Sequence, residues 1–375
     1  MILVLYTDLL VVGGGPAGMA AVLQAADSGL SVILLERYDQ LGGQLVKQTH
    51  RFFGSKDEQA GTRGNVIARA MEEELEQLDN VTVLLEATAL GYYEDNILLV
   101  SAQHSLKKIK AERIIVATGA AEKMLTFPNN DLPGIYGAGA VQTLMNLDGV
   151  VPGRRVVMVG AGNIGLIVSY QLLQAGVEVV AVVEAARQIG GYLVHAAKIS
   201  RTGVPIYTGQ TIKRAYGNGE VEGVELWQLD HNWQGIPGSE RSLAVDTICL
   251  AVGLRPLTDI LVQAGCQMAY VPQLGGDVPL RDDNLKTSNH RFYVAGDAAG
   301  VEEATAAILE GELAGLSAIL ELGAKEGQSL EVKKRTVKKK LDKLRKGPVG
   351  EKIRAGLLKV RRDGNAGKDR YSHTG

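Results

Sequence analysis

The chain has 375 residues, of which 46% are hydrophobic and 22% charged, and its formal net charge is −2. This composition is ordinary for a folded globular protein and excludes a disordered or collagen-like chain, while the length predicts two domains. The two cysteines, Cys249 and Cys266, exclude a disulfide framework, and we expect no metal site. So few thiols favour a cytoplasmic protein, and no apolar run approaches the ~20 residues of a membrane span.

The first forty residues carry the strongest motif. Residues 9–12 read as a buried parallel strand, and a G-x-G-x-x-G pattern follows at 13–18. Gly13 permits a tight turn, Gly15 lets the backbone approach a pyrophosphate, and Gly18 allows close packing of the next helix. A second apolar run ends at Glu36, whose carboxylate can accept hydrogen bonds from a ribose. The alternative is a glycine-rich turn in another βαβ unit. The predicted dinucleotide-binding residues are Gly13, Gly15, Pro16, Ala17, Gly18, Glu36 and Arg37.

A glycine pair follows, and Gly43 and Gln44 are candidates to contact a flat ring, since glycine permits close approach and the amide can donate and accept. Residues 47–63 predict a loop over the cofactor. Within it, a lone His50 is more often a supporting residue than a catalyst. A helix is expected over 66–78, strands over 81–86, 88–93 and 97–101, and then a strand that ends at 117–119.

The Ala117-Thr118-Gly119 sequence after that strand resembles the FAD domain of the two-dinucleotide-binding flavoproteins, and residues 42–45 resemble the thioredoxin-reductase branch. Residues 127–134 and 137–140 are more similar to the α subunits of sarcosine oxidase. Related subunits belong to hydrogen cyanide synthase, opine oxidase and dye-linked proline dehydrogenase. The resemblance implies an α/β protein with two Rossmann-like domains of the three-layer ββα/βαβ type.

A second G-x-G-x-x-G pattern lies at 160–165, between a strand-like and a helix-like stretch. Its apolar strand after the helix ends at Glu184, which favours NAD over NADP because an acid repels a 2′-phosphate and binds a 2′-hydroxyl. Arg187 is close enough to Glu184 in sequence that NADP stays an alternative. Residues 246–253 echo the earlier strand and should close this domain. The predicted NAD(P)-binding residues are Gly160, Gly162, Asn163, Ile164, Gly165, Glu184 and Gly253.

Residues 291–297 resemble the third FAD motif of the family, in which a Gly-Asp pair places a carboxylate on the ribityl chain. Here the pair is Gly296 and Asp297, and the helix that begins near Ala304 would stabilise negative charge on the flavin. With Ala117, Thr118 and Gly119 these residues complete the predicted FAD site. The FAD domain is therefore expected to be discontinuous, over 1–127 and 258–323, with the NAD(P) domain at 128–257.

The C-terminal segment, residues 324–375, differs from the rest of the chain. It carries 17 Lys and Arg against 6 Asp and Glu, whereas the remaining residues carry 23 against 36. Two apolar stripes predict a pair of helices packed on the body; they comprise Val337, Leu341 and Leu344, and Ile353, Leu357 and Val360. Docking of an acidic protein is the second interpretation. Nucleic-acid binding is a distant third because no aromatic residues are interleaved with the charge.

Missing cysteines limit the reaction. No C-x-x-C pair occurs, which excludes disulfide reduction through an internal dithiol, and no cysteine follows Cys266 to hold the iron–sulfur cluster of some relatives. Any such cluster, and the substrate site, would lie on a partner subunit. The primary hypothesis is an FAD- and NAD(H)-dependent oxidoreductase that is a subunit of an amine or amino-acid dehydrogenase or oxidase. The alternatives are a stand-alone NADH-dependent reductase of a small electron carrier and a non-catalytic nucleotide-binding scaffold. No catalytic residue is predicted, because hydride transfer needs stacking and exclusion of water.

Overall fold

The computed structural model describes residues 4–52, 59–103, 105–324, 327–347 and 350–362. The chain forms two compact units: unit 1 comprises Met1–Val46, Arg51–Ala121 and Arg255–Gly375, and unit 2 comprises Lys47–His50 and Glu122–Leu254. The first unit is discontinuous, and four residues of the predicted loop belong to the second. Which nucleotide each unit binds, and with it the predicted domain limits, stays a prediction.

The secondary structure follows in chain order. The strands are β1 Val4–Val12, β2 Val32–Leu35, β3 Val81–Leu84, β4 Ala87–Tyr92, β5 Ile97–Ala102, β6 Ser105–Val116, β7 Ala120–Glu122, β8 Ile135–Gly137, β9 Arg155–Val159, β10 Glu178–Glu184, β11 Ile206–Thr208, β12 Gln210–Tyr216, β13 Gly223–Gln228, β14 Arg241–Ala244, β15 Thr247–Leu250, β16 Leu254–Pro256, β17 Met268–Val271, β18 Gly276–Pro279 and β19 Phe292–Val294. The α-helices are α1 Pro16–Gln24, α2 Gly64–Leu75, α3 Ala138–Asn146, α4 Asn163–Gln174, α5 Leu193–Arg201, α6 Asp259–Gln263, α7 Ala304–Glu321, α8 Gly327–Leu344 and α9 Glu351–Val360.

Unit 1 is built on a seven-stranded sheet in the order β3-β2-β1-β6-β5-β4, with β19 also beside β6. Strands β1, β2, β3, β6 and β19 pair in parallel, so their carboxyl ends meet at one edge of the sheet. The last four residues of β1 are apolar and buried, because one face of the strand packs in a core with α1 and α7 and the other in a core with residues of β4 and β5. The predicted motifs at 13–18, 117–119 and 296–297 follow directly after three of these strands, which is where α/β sheets bind ligands.

Unit 2 repeats this arrangement with a five-stranded parallel sheet in the order β11-β10-β9-β15-β8. The second glycine motif follows β9, and Glu184 is the last residue of β10. A separate antiparallel sheet, β12-β13-β14, completes this unit. The predicted α/β class with two Rossmann-like halves is confirmed.

Helices α1 and α7 cross at very short range. A Cβ added to Gly311 would lie 2.0 Å from the carbonyl oxygen of Ala17, and one added to Gly315 would lie 2.5 Å from that of Ala21. Only glycine therefore permits this crossing. Among the sequence predictions, α7 begins at the expected Ala304, and α2 begins two residues before the expected 66. The predicted loop over 47–63 includes residues 53–58, which lie outside the described residues.

The described part of the C-terminal segment is helical and belongs to unit 1. Val337 and Leu341 on α8 are buried in the same apolar core as α7, with Leu344 packed against it. Val360 on α9 is buried beside Val271 and Leu274. Residues 325–326, 348–349 and 363–375 of the predicted segment are outside the described residues. Among the helices that the structure describes, none has the length and apolar character required to cross a membrane.

Candidate dinucleotide sites

The turn after β1 depends on two glycines for its own geometry. Gly13 has φ +109°, and a Cβ added there would lie 2.4 Å from the carbonyl oxygen of Ala117. A Cβ added to Gly18 would lie 1.8 Å from the carbonyl oxygen of Gly13. Both positions exclude every other residue because the neighbouring atoms are backbone and cannot move aside. These glycines hold β1, α1 and the end of β6 together whether or not a ligand is bound.

Unit 2 contains a turn of nearly the same backbone geometry. Gly160 has φ +107°, and its added Cβ would lie 2.3 Å from the carbonyl oxygen of Ala251. An added Cβ on Gly165 would lie 2.0 Å from the carbonyl oxygen of Gly160. The two glycine motifs therefore build the same structure, although their surrounding sequences differ.

The middle glycine of each motif is different, because the protein itself leaves room for a side chain. Gly15 and Gly162 both have φ −75° with extended backbone, which any residue can adopt. An added Cβ on Gly15 would meet only the Cα of Gly43, at 3.9 Å, and one on Gly162 would meet no described atom within 4 Å. Each is the N-cap of a helix that no side chain of the described residues caps. Helix N-termini bind phosphates, so these open cradles fit a pyrophosphate.

A carboxylate supports each turn in the same way. Glu36 accepts one hydrogen bond from the backbone N–H of Gly14, at 2.8 Å, and one from that of Tyr38, at 2.9 Å. Glu184 accepts equivalent bonds from Ala161, at 2.8 Å, and Ala186, at 3.0 Å. Each carboxylate is thereby oriented at the end of its strand, where an acid of this family binds a ribose.

The glycine pair of unit 2, at 190–191, was missed in the sequence, although the pair at 42–43 of unit 1 was predicted to approach a flat ring. Gly43 in unit 1 has its added Cβ 2.8 Å from the Cα of Gly15, and Gly191 in unit 2 has its added Cβ 2.9 Å from the carbonyl carbon of Gly162. In both units the pair begins six residues after the terminal glutamate, at 42–43 and at 190–191. Comparison of the two halves as an internal repeat would have found it. In each unit, the backbone of the glycine pair lies against the middle glycine of the motif, Gly15 or Gly162.

The predicted flavin-binding residues of unit 1 come together around these turns. Ala117 lies against Gly13, and an added Cβ on Gly296 would lie 2.9 Å from the Cβ of Ala17. Asp297 accepts a hydrogen bond from the N–H of Glu302 at 3.2 Å. Burial, together with the neighbouring carboxylates of Glu310 and Glu302, raises the pKa of the Asp297 carboxyl to about 7.

The remaining predicted residues lie at the edges of the two turns. Pro16 is the first residue of α1, Gly119 has φ +75°, and Thr118 donates a hydrogen bond to the carbonyl oxygen of Leu257 at 2.6 Å. Arg37 and Gln44 are exposed, and the Arg37 guanidinium lies over the ring of Tyr38 at 4.7 Å. In unit 2, Asn163 accepts a hydrogen bond from the N–H of Tyr192 at 2.8 Å, Ile164 is exposed, and Gly253 has φ +116°. Their roles in nucleotide binding stay predictions.

His50 and its neighbours belong to a polar group inside unit 2. Thr49 accepts a hydrogen bond from Gln171 at 2.8 Å, and the carbonyl oxygen of Lys47 accepts one from Asn146 at 2.7 Å. Burial, with the charges of His195 and Lys198, lowers the pKa of His50 to about 4. His50 is therefore a neutral imidazole at pH 7.

The two cysteines are unsuited to redox chemistry. Cys249 is fully buried in the apolar core of unit 2, and burial raises the pKa of its thiol far above the ordinary value. Burial also raises the pKa of the Cys266 thiol, in unit 1. A reactive cysteine requires the thiolate, so neither residue is poised for disulfide exchange.

Comparison with known proteins supports the same family. Residues 7–311 match the family model described as pyridine nucleotide-disulphide oxidoreductase. The chain is 28% identical to one of the opine oxidase subunits of Agrobacterium tumefaciens (strain Ach5), over 84% of this chain and 66% of that protein. It is 30% identical to the α subunit of sarcosine oxidase from Rhizobium meliloti (strain 1021), over 85% of this chain and 31% of that protein. The chain thus spans under two thirds of the one and under a third of the other.

Solved structures show the same fold. L-Proline dehydrogenase from P. horikoshii has a TM-score of 0.66 at 26% identity, over 90% of this chain and 60% of that one. Thioredoxin reductase from T. acidophilum has a TM-score of 0.69 at 20% identity, over 85% of this chain and 99% of that one. The resemblance to the two-dinucleotide-binding flavoproteins is confirmed, because the match over residues 7–311 agrees with the duplicated turns. The chain belongs to the pyridine nucleotide-disulphide oxidoreductase family, and it is an FAD- and NAD(P)-dependent oxidoreductase.

Proposed function

We propose that unit 1 holds FAD, that unit 2 holds NAD(H), and that the protein transfers electrons between them as one subunit of an amine or amino-acid dehydrogenase or oxidase. The observation that carries the binding of two dinucleotides is the pair of equivalent sites, and the Gly296-Asp297 segment beside the turn of unit 1 supports FAD there. Each has an open glycine, Gly15 or Gly162, at an uncapped helix N-terminus and an oriented carboxylate, Glu36 or Glu184.

NAD is favoured over NADP by the charge at the end of β10. The Glu184 carboxylate is held by two backbone N–H groups, so it cannot readily turn away from a bound ribose. A 2′-phosphate would face this negative charge, whereas a 2′-hydroxyl would donate to it. Arg187, the basic residue closest to Glu184 in sequence, is exposed to solvent.

The residues of this chain act by binding and orientation. FAD and NAD(H), when bound, supply the hydride chemistry, in which no side-chain acid or base is required. The helix N-terminus at Gly15 would hold the pyrophosphate of FAD, Glu36 its ribose, and Gly296 and Asp297 its ribityl chain. Gly162 and Glu184 would hold the corresponding parts of NAD(H).

The partner subunit is proposed from what this chain lacks. Both cysteines are buried with raised thiol pKa values, so electrons do not leave through a dithiol of this chain. The relatives named above are subunits of opine oxidase and sarcosine oxidase, which supports an assembly with another chain. That chain would carry the substrate site or an iron–sulfur cluster.

The test is reduction of the purified protein in the absence of oxygen. Its flavin is identified after extraction, and NADH or NADPH is then added while the visible flavin absorbance is followed. Loss of absorbance with NADH at lower concentration than with NADPH would support the proposal. A protein that purifies with no FAD and takes none up would refute the assignment of unit 1. Full turnover with a small electron carrier by the isolated chain would favour a stand-alone reductase over a subunit.

A further inference from the structure

A basic residue of the C-terminal segment reaches the carboxylates behind the proposed flavin site. Arg345 follows the last residue of α8, and its guanidinium contacts Glu302 at 2.6 and 3.1 Å and Glu310 at 2.6 Å. The exposed fraction of the three side chains is 14%, 10% and 3% respectively. This is a buried ion-pair group, unlike the pair of Arg361 with Asp283 in the same segment, whose side chains are 52% and 62% exposed.

Both glutamates connect directly to the Gly296-Asp297 segment, Glu310 through its carboxylate and Glu302 through its backbone. The second oxygen of Glu310 accepts a hydrogen bond from the N–H of Gly296 at 3.1 Å. The backbone N–H of Glu302 donates to Asp297 at 3.2 Å. Arg345 is therefore linked twice to the residues that would hold the ribityl chain, once through each glutamate.

Arg345 supplies one of the two guanidinium groups that face three carboxyl groups here. Asp297, Glu302 and Glu310 are three carboxyl groups, and Arg281 is the other guanidinium that contacts them, with Glu310 at 3.4 Å. Arg281 also donates a hydrogen bond to the carbonyl oxygen of Ala299. Burial raises the pKa of the Glu302 carboxyl, and the charge of Arg345 opposes this rise. Loss of Arg345 would leave a buried carboxylate uncompensated, which is strongly unfavourable.

We propose that Arg345 is a positioning residue for FAD: it holds Glu302 and Glu310 in the arrangement that presents Gly296 and Asp297 to the cofactor. The inference rests on the proposed function, because it takes unit 1 as the FAD site. Arg345 lies beyond residues 7–311, the part that matches the family model. The C-terminal helices thus contribute to a site whose other parts all lie within the family fold.

The experiment compares Arg345→Met with Lys338→Met. Lys338 lies on α8, which Arg345 directly follows, and its ammonium contacts the body at 2.8 Å from the side chain of Asn284. Each variant therefore removes one positive charge by which the C-terminal segment contacts the body. FAD dissociation constants are measured by titration of the apoprotein. We expect Arg345→Met to bind FAD about tenfold or more weakly. This factor follows if the Gly296-Asp297 segment is correctly arranged in only about a tenth of the free molecules, because the dissociation constant then rises by the same factor. Lys338→Met should bind as the unaltered protein does.

A second readout separates positioning from general stability. Without Arg345, the charges of Glu302 and Glu310 should raise the pKa of Asp297 further, against the remaining Arg281. The pH at which FAD affinity changes should therefore move upward in Arg345→Met and stay in place in Lys338→Met. If Arg345→Met does not fold, Arg345→Lys keeps the charge but loses the bidentate contact, and we expect it to weaken FAD binding by a smaller factor.

Equal FAD affinity and an unchanged pH profile in a folded Arg345 variant would overturn the inference, even if its melting temperature fell. That outcome would assign Arg345 to stability alone. Equal weakening in the Lys338 variant would also overturn it, because the effect would then belong to docking of α8 in general. Failure of the unaltered protein to bind FAD would instead refute the proposed function, so the two failures are distinguishable.

Discussion

Replacement of Gly15 by alanine separates ligand binding from folding. The backbone of Gly15 is extended at φ −75°, and its added Cβ would meet only the Cα of Gly43, at 3.9 Å. An alanine there causes no clash. It reduces the conformational freedom of the unfolded chain, which stabilises the folded state slightly, but it is a poorer helix N-cap than glycine, which opposes this gain. We therefore expect the free energy of unfolding of the apoprotein to change by less than about 1 kcal/mol.

FAD binding should change much more. If the pyrophosphate lies against this backbone, the methyl group occupies its position and displaces at least one charge-assisted hydrogen bond. Such a bond contributes about 1.5–3 kcal/mol, which corresponds to a loss of roughly tenfold to 150-fold in affinity. The assay is titration of the apoprotein with FAD, followed by flavin fluorescence, with chemical denaturation of the same samples.

The two halves of the chain provide a matched control. Gly162 has the same φ in unit 2, and no described atom lies within 4 Å of its added Cβ. Gly162→Ala should leave FAD affinity unchanged and weaken NADH binding, whereas Gly15→Ala should weaken FAD binding and leave direct binding of NADH unchanged. FAD affinity of Gly15→Ala equal to that of the unaltered protein would refute the placement of the pyrophosphate. Weak FAD binding by both variants would contradict the division of the nucleotides between units.

Three further predictions follow from single side chains. Glu184→Ala should weaken NADH about tenfold or more and NADPH less, because one charge-assisted hydrogen bond to the ribose is lost; equal effects in titrations with the two nucleotides would argue against this role. Leu341→Ala should lower the free energy of unfolding by about 2–5 kcal/mol, since Leu341 is buried, while Val332→Ala, on an exposed residue of the same helix, should change it by less than about 0.5 kcal/mol. The pKa of the Asp297 carboxyl is raised from 3.8 to about 7 in the folded protein, so the folded state binds this proton more tightly than the unfolded chain does. The stability that the protonated carboxyl contributes is present below about pH 4 and is lost as the pH rises to about 7. Asp297→Asn should remove this loss in denaturation of the apoprotein over that range, and an unchanged pH dependence would show that Asp297 is not buried in this way.

Much of the architecture could be read from local patterns. The turns at 13–18 and 160–165 were predicted because a tight strand-to-helix turn permits so few residues that it leaves a recognisable spacing of glycines. The same reasoning identified Glu36 and Glu184, which lie at the ends of their strands as expected. The apolar stripes of the C-terminal helices were also correct, since helical periodicity is a local property.

Other features depended on contacts between residues far apart in sequence. Nothing near residues 47–50 showed that they would join unit 2, because that depends on partners such as Gln171 and Asn146. The distinction between Gly13, which the fold requires, and Gly15, which it does not, became visible only once the carbonyl of Ala117 was in place.

The sequence by itself determined the two nucleotide-binding turns and their terminal carboxylates, because each is encoded in a short run of residues with fixed spacing. The discontinuous first unit was expected from the resemblance of residues 291–297 to a motif of the family. Only the tertiary structure decided that Arg345 lies between Glu302 and Glu310 behind Asp297. An arginine among 17 basic residues of the C-terminal segment has no local signal that distinguishes it. Its role arises from burial beside two carboxylates about forty positions earlier, and burial is a property of the packed chain.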